Sequence, residues 1–254
     1  AQRFITLFAR MLEIKPKHVI PAYEDAWYYM WRERRLPSNV DPLQSRLEDK
    51  EERSRIAKIF KQGLDKVAGY VLPIQRRGAD RPGWASGSWF LRSEHLFLTP
   101  GDSPMGLRLP LDSVPWVSAT DYPYINAPDP MGALPPLPSR EELSQGHRMP
   151  AQASRPQVAG RSLISGRGPV SEQMLERSAP ATEADQPPSF LQSADKIVRT
   201  AVCIEPREGR LHIFMPPVRT TEDYLELISA VEATATELKL PVIIEGSAPP
   251  NDPG

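Results

Sequence analysis

The chain has 254 residues, with 31 basic and 32 acidic side chains and a formal net charge of −1. This balance argues against a nucleic-acid partner, which selects for a basic face. The single cysteine excludes an internal disulfide and indicates a reducing, cytoplasmic location. No apolar run approaches the roughly 20 residues that a membrane-spanning helix needs, so we expect no membrane partner.

Apolar spacing predicts helices in the N-terminal part of the chain. A first amphipathic helix carries Phe4 and Phe8 and ends before Pro16. Pro21 suits the first turn of a second helix over residues 22–34, and a third is predicted over 50–66. The pattern then changes to short strands, with Ser93 and Glu94 as a possible hairpin turn between two of them. The predicted strands are 70–75, 88–92, 95–99 and 107–111.

The C-terminal part has the clearest local signals. Strands over 198–205 and 210–215 flank a turn from Pro206 to Gly209. Thr220, three residues before Asp223, predicts the start of an amphipathic helix. A buried apolar strand follows over 241–245. A β-hairpin–helix–strand unit is typical of α+β folds.

Prolines separate these two folded parts. Twelve of the 29 prolines lie between Pro123 and Pro188, and no aromatic residue occurs from 125 to 189. Such a segment buries too little apolar surface to offset its chain entropy, so we expect a disordered Pro-rich linker over 125–193. The predicted class is therefore α+β, in three segments. These are N-terminal helices with a short antiparallel β subdomain (1–124), the linker (125–193) and the β-hairpin–helix–strand unit (194–254).

The sequence predicts no metal site, because its four histidines are scattered and none lies in a ligand-type spacing. His212 alternates with apolar residues in a predicted strand, so we interpret it as an outward-facing polar residue. Cys203 lies between Val202 and Ile204 and is interpreted as a buried, inert thiol.

Two polar groups are candidates for substrate contacts. Asp102 and Ser103 lie in a tight loop before Arg108, whose guanidinium could bind a carboxylate or phosphate. The simpler interpretation of the loop is an Asx-turn in which Asp102 binds its own backbone. Glu205 with Arg207 could line a cleft at the rim of a sheet, or could form a surface ion pair.

Three long blocks, over residues 18–47, 87–116 and 199–246, resemble a large bacterial family. Its members carry a transglutaminase-like domain followed by an amidoligase region similar to glutamine synthetase and the glutamate–cysteine ligases. The resemblance implies an interior fragment of an ATP-dependent carboxylate–amine ligase. The parent protein would use ATP and magnesium, whose binding core would lie beyond this chain. The fragment would be inactive alone, hold no cofactor, and act mainly as a scaffold in contact with the remaining domains and with a peptide, amine or carboxylate substrate.

A second hypothesis is a non-catalytic module that docks a peptide or protein. The aromatic stripe of Trp27 and Trp31 and the pair Trp84 and Trp89 would supply its apolar anchors. The alternative interpretation is that these aromatic residues belong to the core.

Overall fold

Strands from both ends of the chain form one seven-stranded sheet. The computed structural model describes residues 1–25, 28, 66–77, 83–91, 95–100, 107–121, 136–146 and 186–250. The described strands are Ile20–Glu24 (β1), Val67–Pro73 (β2), Gln75–Arg76 (β3), Trp84–Ala85 (β4), Leu96–Pro100 (β5), Leu107–Arg108 (β6), Ala201–Arg207 (β7), Arg210–Met215 (β8) and Val242–Gly246 (β9). Their order in the sheet is β6-β5-β1-β2-β7-β8-β9, while β3 and β4 pair separately. The pairs β1–β5 and β8–β9 are parallel and the others antiparallel, so the sheet is mixed.

Helices pack on one face of this sheet. The described α-helices longer than one turn are Gln2–Met11 (α1), Arg140–Gly146 (α2) and Thr221–Leu238 (α3). Both α1 and α3 contact a core that includes alternate residues of β7 and β8, among them Val202, Ile204 and Ile213. The intervening residues Cys203 and Phe214 belong to a second core on the opposite face. This alternation is what a strand buried on both faces requires, and the α+β prediction is confirmed.

The predicted N-terminus of α3 is confirmed. The Thr220 hydroxyl accepts a hydrogen bond from the Asp223 backbone N–H at 3.2 Å, and Thr220 itself has an extended backbone. The helix ends at Lys239, whose φ of 53° places it in the left-handed region. Thr220 therefore satisfies one of the amide donors that the first helical turn leaves without an intrahelical partner.

Substituting this cap provides a local test. We expect Thr220→Ala to lower the free energy of unfolding by about 1 kcal/mol, because the Asp223 amide loses its acceptor. The measurement is urea denaturation, and Thr220→Ser should retain most of the stability. Thr236→Ala, at an exposed position of the same helix, is the matched control and should cause no loss. Equal losses at Thr220 and Thr236 would contradict the assignment of the cap.

The hairpin between β7 and β8 is tighter than the sequence predicts. Pro206 and Arg207 belong to β7, and Arg207 pairs directly with Arg210. The turn consists of Glu208 and Gly209, both with positive φ (48° and 78°). Positive φ at both central residues matches the two-residue turn that follows the right-handed twist of paired strands. The β-hairpin–helix–strand unit is thus confirmed, with its turn two residues later than Pro206.

The start of the second predicted helix is wrong. Residues 20–24 form β1, in which Pro21 pairs with Tyr70 of β2 but precedes the residues that pair with β5, which begin at Ala22. The missing N–H of a proline is tolerated near the start of a strand, where one of the two neighbouring strands is not yet paired. Tyr28 has helical backbone, and its N–H donates to Asp25 Oδ1 at 3.1 Å, so Asp25 acts as the cap. The remainder of that helix and the helix over 50–65 lie outside the described residues.

Two of the predicted strands also differ. Residues 88–91 have no strand structure, and β5 pairs with β1 and β6. The predicted hairpin turn at 93–94 lies outside the described residues. The strand predicted over 107–111 stops at Arg108. β9 is an edge strand with partly exposed side chains rather than a buried one. An edge strand is covered along one side only, which explains why its apolar composition did not lead to full burial.

Regular structure is present within the segment predicted to be a linker. Helix α2 lies inside residues 125–193, and its Arg140 Nη2 lies 3.2 Å from Glu232 Oε2 of α3. Residues 186–193 are also described, and the Ser193 hydroxyl accepts a hydrogen bond from the Ser118 amide at 3.0 Å. These two stretches are thus described within the predicted linker, whose disorder remains a prediction. The domain boundaries remain a prediction, and strands from 1–124 and 194–254 share one sheet.

Candidate functional site

Four polar side chains lie together on the sheet face opposite the helices. Glu205 and Arg207 are two residues apart on β7, so they project from the same face. His212 is the direct cross-strand neighbour of Glu205 on β8. Glu245 on β9 is paired with Phe214, two residues from His212. The hairpin and the parallel β8–β9 pair fix the register of these three strands, so the four side chains lie next to one another. We name this group the β7–β9 ionic cluster (Glu205, Arg207, His212 and Glu245).

Arg207 joins the two carboxylates of the cluster. Its Nε lies 3.1 Å from Glu205 Oε2, and its Nη2 donates to Glu245 Oε2 at 3.2 Å. The other Glu245 oxygen, Oε1, lies 2.9 Å from His212 Nδ1. The planar guanidinium suits such a bridge, since it presents several N–H donors in a fixed geometry. These contacts connect charged and polar side chains of β7, β8 and β9 to one another.

The cluster is largely removed from solvent. The Glu205 side chain is 6% exposed and that of Arg207 is 29% exposed, while His212 and Glu245 are half-buried. The Arg207 Cζ lies 5.8 Å from the centroid of the Phe214 ring, within the range of a cation–π contact. The two carboxylates of the cluster face the Arg207 guanidinium, and Arg210, the cross-strand neighbour of Arg207, projects from the same face of the sheet.

The structure tests the interpretation of Glu205 and Arg207 directly. The two residues do form an ion pair, but Glu205 is buried rather than on the surface. His212 is not simply outward-facing, because it bonds to Glu245. Glu245, which ends an apolar run and is 38 residues from Arg207, was not predicted to join this group. The charged residue within that run was the available signal, since a charge inside a predicted apolar strand needs a partner.

The other predicted contacts do not join this cluster. Arg108 is exposed on β6, at the opposite edge of the sheet from β9. It is four strand spacings from β7, roughly 19 Å along the sheet. Its neighbour Leu107 belongs to the core on the cluster's face, so Arg108 projects toward the other face. Asp102 and Ser103 lie outside the described residues.

A second ionic group lies at the N-terminus of α3. Arg76 Nε is 3.1 Å from Asp223 Oδ1, and the Arg76 guanidinium also pairs with Glu226. The indole N–H of Trp84 donates to Glu226 Oε1 at 3.0 Å. Burial raises the pKa of the Asp223 carboxyl above its ordinary value, although the nearby Arg76 charge opposes this rise. These contacts fasten the β3–β4 pair to α3, and we interpret the group as structural.

Of the predicted aromatic anchors, the two that the structure describes are core residues. Trp84 and Trp89 are buried, and the Trp89 indole N–H donates to the Val198 carbonyl at 2.6 Å. A buried indole with its N–H satisfied is a packing residue. Trp27 and Trp31 lie outside the described residues.

Cys203 is a buried thiol on the cluster's face of β7, as the sequence predicts. Desolvation by burial raises its pKa to about 12. Because the thiolate is the reactive form, we expect N-ethylmaleimide at pH 8 to leave the native protein unmodified. Mass spectrometry should show one adduct after the protein is unfolded in urea. Rapid addition to the native protein would contradict the burial.

Within the described part of the chain, no group of three or more His, Cys, Asp or Glu side chains could hold a metal ion. The β7–β9 ionic cluster therefore does not fit the magnesium that the resemblance implies. None of the described helices combines the length and apolarity that crossing a membrane requires.

Comparison with family models gives one match. A family described as "Putative amidoligase enzyme (DUF2126)" matches residues 1–254. Comparisons with curated proteins and with solved structures gave no match.

Proposed function

The chain belongs to this putative amidoligase family, and from that premise we propose that it is part of an ATP-dependent carboxylate–amine ligase. Such an enzyme activates a carboxyl group and joins it to an amine, forming an amide bond. The observation that supports a role for this part of the protein is the β7–β9 ionic cluster. Burying a carboxylate costs free energy, and such groups are concentrated at functional sites, so this cluster is the candidate in the described part of the chain.

The proposal gives this chain a scaffold role with substrate-side contacts. The sheet fixes Glu205 and Arg207 within the cluster, and these two side chains are the proposed contacts for polar groups of the substrate. Arg108, with Asp102 and Ser103 in the loop before it, remains a proposed contact for a substrate carboxylate. Because Arg108 lies at the far edge of the sheet and projects from the other face, this proposed contact would be separate from the cluster.

In the same proposal, ATP supplies the phosphoryl group that activates the carboxyl substrate, and magnesium balances its charge. Because the described residues do not fit a metal site, we propose that other residues of the intact protein hold both. The transglutaminase-like domain, the likeness to glutamine synthetase and the cytoplasmic location belong to this proposal. Its partners are the remaining domains and a peptide, amine or carboxylate substrate.

The test is an assay for amide formation that needs no knowledge of the natural amine. The intact protein is incubated with Mg-ATP, hydroxylamine and each of the 20 amino acids in turn as the carboxylate donor. Hydroxamate formation coupled to phosphate release is the expected result with at least one donor. If glutamyl and aspartyl peptides also fail as donors, and no hydroxamate forms with any of them, the ligase proposal is wrong.

The docking hypothesis receives less support. Two of its four proposed anchors, Trp84 and Trp89, are buried in the core. Of the described large apolar side chains, Trp116, Phe190 and Leu191 are among those exposed, but none of them was part of the predicted stripes.

A further inference from the structure

A cavity of about 370 Å³ lies where α1, α2, α3 and β4 meet. Apolar side chains form much of its wall, among them Met11, Leu12, Trp84 and Leu143. The first three are buried and belong to the core that the helices cover. A concave site of this volume with apolar walls is typical of small-molecule binding. None of the residues of the β7–β9 ionic cluster lines it, so the cavity is a separate feature of the fold.

Four glutamates complete the lining of this cavity, and two of them have strong partners within the protein. Glu226 pairs with Arg76 and accepts the indole N–H of Trp84. Glu142 Oε2 accepts hydrogen bonds from the Ser139 N–H at 2.7 Å and from the Ser139 hydroxyl at 2.9 Å. These bonds lower the pKa of the Glu142 carboxyl, which is therefore ionised at neutral pH.

The other two glutamates of the lining, Glu13 and Glu222, form no hydrogen bond or ion pair with a residue that the structure describes. The C-terminus of α1, where Glu13 lies, adds partial negative charge, and the N-terminus of α3, near Glu222, offsets part of it. The described cations nearest to the lining residues along the chain all lie outside the lining; they are Arg10, Lys15, Arg76, Arg77, Arg140 and Arg219. The lining therefore carries an excess of negative charge.

This excess favours a cationic ligand, and the lining itself selects among cations. In the described part of the chain, no three acidic, His or Cys side chains lie close enough to hold a metal ion. An organic cation suits the site better, because its alkyl chain would contact Met11, Leu12 and Leu143 while its charge reaches the carboxylates. An ammonium group has three N–H donors that separate carboxylates can share, whereas a guanidinium fits a single carboxylate best.

We propose that this cavity binds a primary ammonium group carried on an aliphatic chain, as in a lysine side chain or a free alkylamine. Both the charge and the chain contribute, since the glutamates attract the ammonium group and the apolar wall removes the chain from water. The site goes beyond the proposed ligase function, and its occupancy can be measured without any turnover. A failure of the hydroxamate assay would therefore leave this proposal standing.

The test is isothermal titration calorimetry of the protein with hexylammonium chloride at low salt. We expect saturable binding at one site, weakened when the salt concentration is raised. The matched probe is 1-hexanol, which has the same chain without the charge and should bind at least about 10-fold more weakly. A blocked lysine peptide, acetyl-Gly-Lys-Gly-amide, distinguishes the two sources of the ammonium group. Tighter binding of the peptide than of hexylammonium would identify a peptide side chain as the ligand, and weaker binding a free amine.

The double variant Glu13→Gln with Glu222→Gln locates the binding in this cavity. It removes both unpaired charges and keeps the size of the side chains, so hexylammonium should bind at least about 10-fold more weakly. The control is Glu237→Gln, the same substitution at an exposed position near the other end of α3, which should bind like the wild type. Thermal unfolding confirms that each variant is folded. If hexylammonium does not bind, binds no better than 1-hexanol, or binds the double variant as tightly as the wild type, the proposal is wrong.

Discussion

Gly69→Ala is expected to lower the free energy of unfolding by about 3 kcal/mol, because the added methyl group would have no space. A Cβ at this position would lie 2.7 Å from the carbonyl oxygen of Ile204 on β7. That oxygen is backbone, so it cannot move without displacing the strand. Gly69 pairs with Ala22, next to the point where the β1–β2 register shifts. Urea denaturation monitored by circular dichroism provides the measurement.

Gly209→Ala is the matched control for this prediction. Gly209 has a φ of 78°, but no described heavy atom lies within 4 Å of the Cβ that alanine would add. Its replacement should therefore cause only the backbone strain of a left-handed conformation, about 1 kcal/mol. Comparing the two variants thus separates the cost of a steric clash from the cost of a strained backbone conformation. A smaller loss in the free energy of unfolding for Gly69→Ala than for Gly209→Ala would show that β7 can move at this point without a large cost.

Arg207→Met is the second substitution with a large expected effect, a loss of about 3 kcal/mol in the free energy of unfolding. It leaves the Glu205 carboxylate buried without the guanidinium that compensates its charge, and it leaves Glu245 with one fewer donor. Removing one member of a buried pair is more destabilising than removing both, because the remaining charge stays desolvated. The double variant Glu205→Gln with Arg207→Met should therefore recover part of the loss.

The same substitution at an exposed ion pair gives the comparison. Arg140 Nη2 lies 3.2 Å from Glu232 Oε2, but the Arg140 side chain is 83% exposed. Arg140→Met is expected to change the free energy of unfolding by less than about 1 kcal/mol, since exposed pairs are screened by water and salt. Thermal unfolding of both variants under identical conditions makes the comparison. Equal losses would mean that burial of Glu205 does not control the energetics of its pair.

The sequence was most predictive where the cause of a structure is local. The Thr220 cap, the two strands around Gly209 and the spacing of Phe4 and Phe8 each depend on residues a few positions apart, and each is confirmed. The prediction at Pro21 was wrong because a proline suits both a first helical turn and the start of a strand. Only the pairing of β1 with β2 and β5, both far along the chain, distinguishes the two.

The candidate site shows the same difference between features with local causes and features that depend on distant parts of the chain. Glu205 and Arg207 are two residues apart on one strand, so their pairing could be predicted from spacing alone. Glu245 joins them only because α3 returns the chain to the edge of β8 in parallel register. His212 joins the group only through its contact with Glu245. A single sequence indicates which polar residues a strand carries, but not which strand becomes its neighbour.

The pairing of β2 with β7 has a consequence for how the protein is made. Leu72 is opposite Val202, so 130 residues separate two adjacent positions of the sheet. At synthesis rates of 5–20 residues per second, the N-terminal strands wait roughly 7 to 26 s before their partner leaves the ribosome. During that interval the apolar edge of β2 is open to wrong pairing, and a chaperone that shields nascent strands should increase the yield of soluble protein.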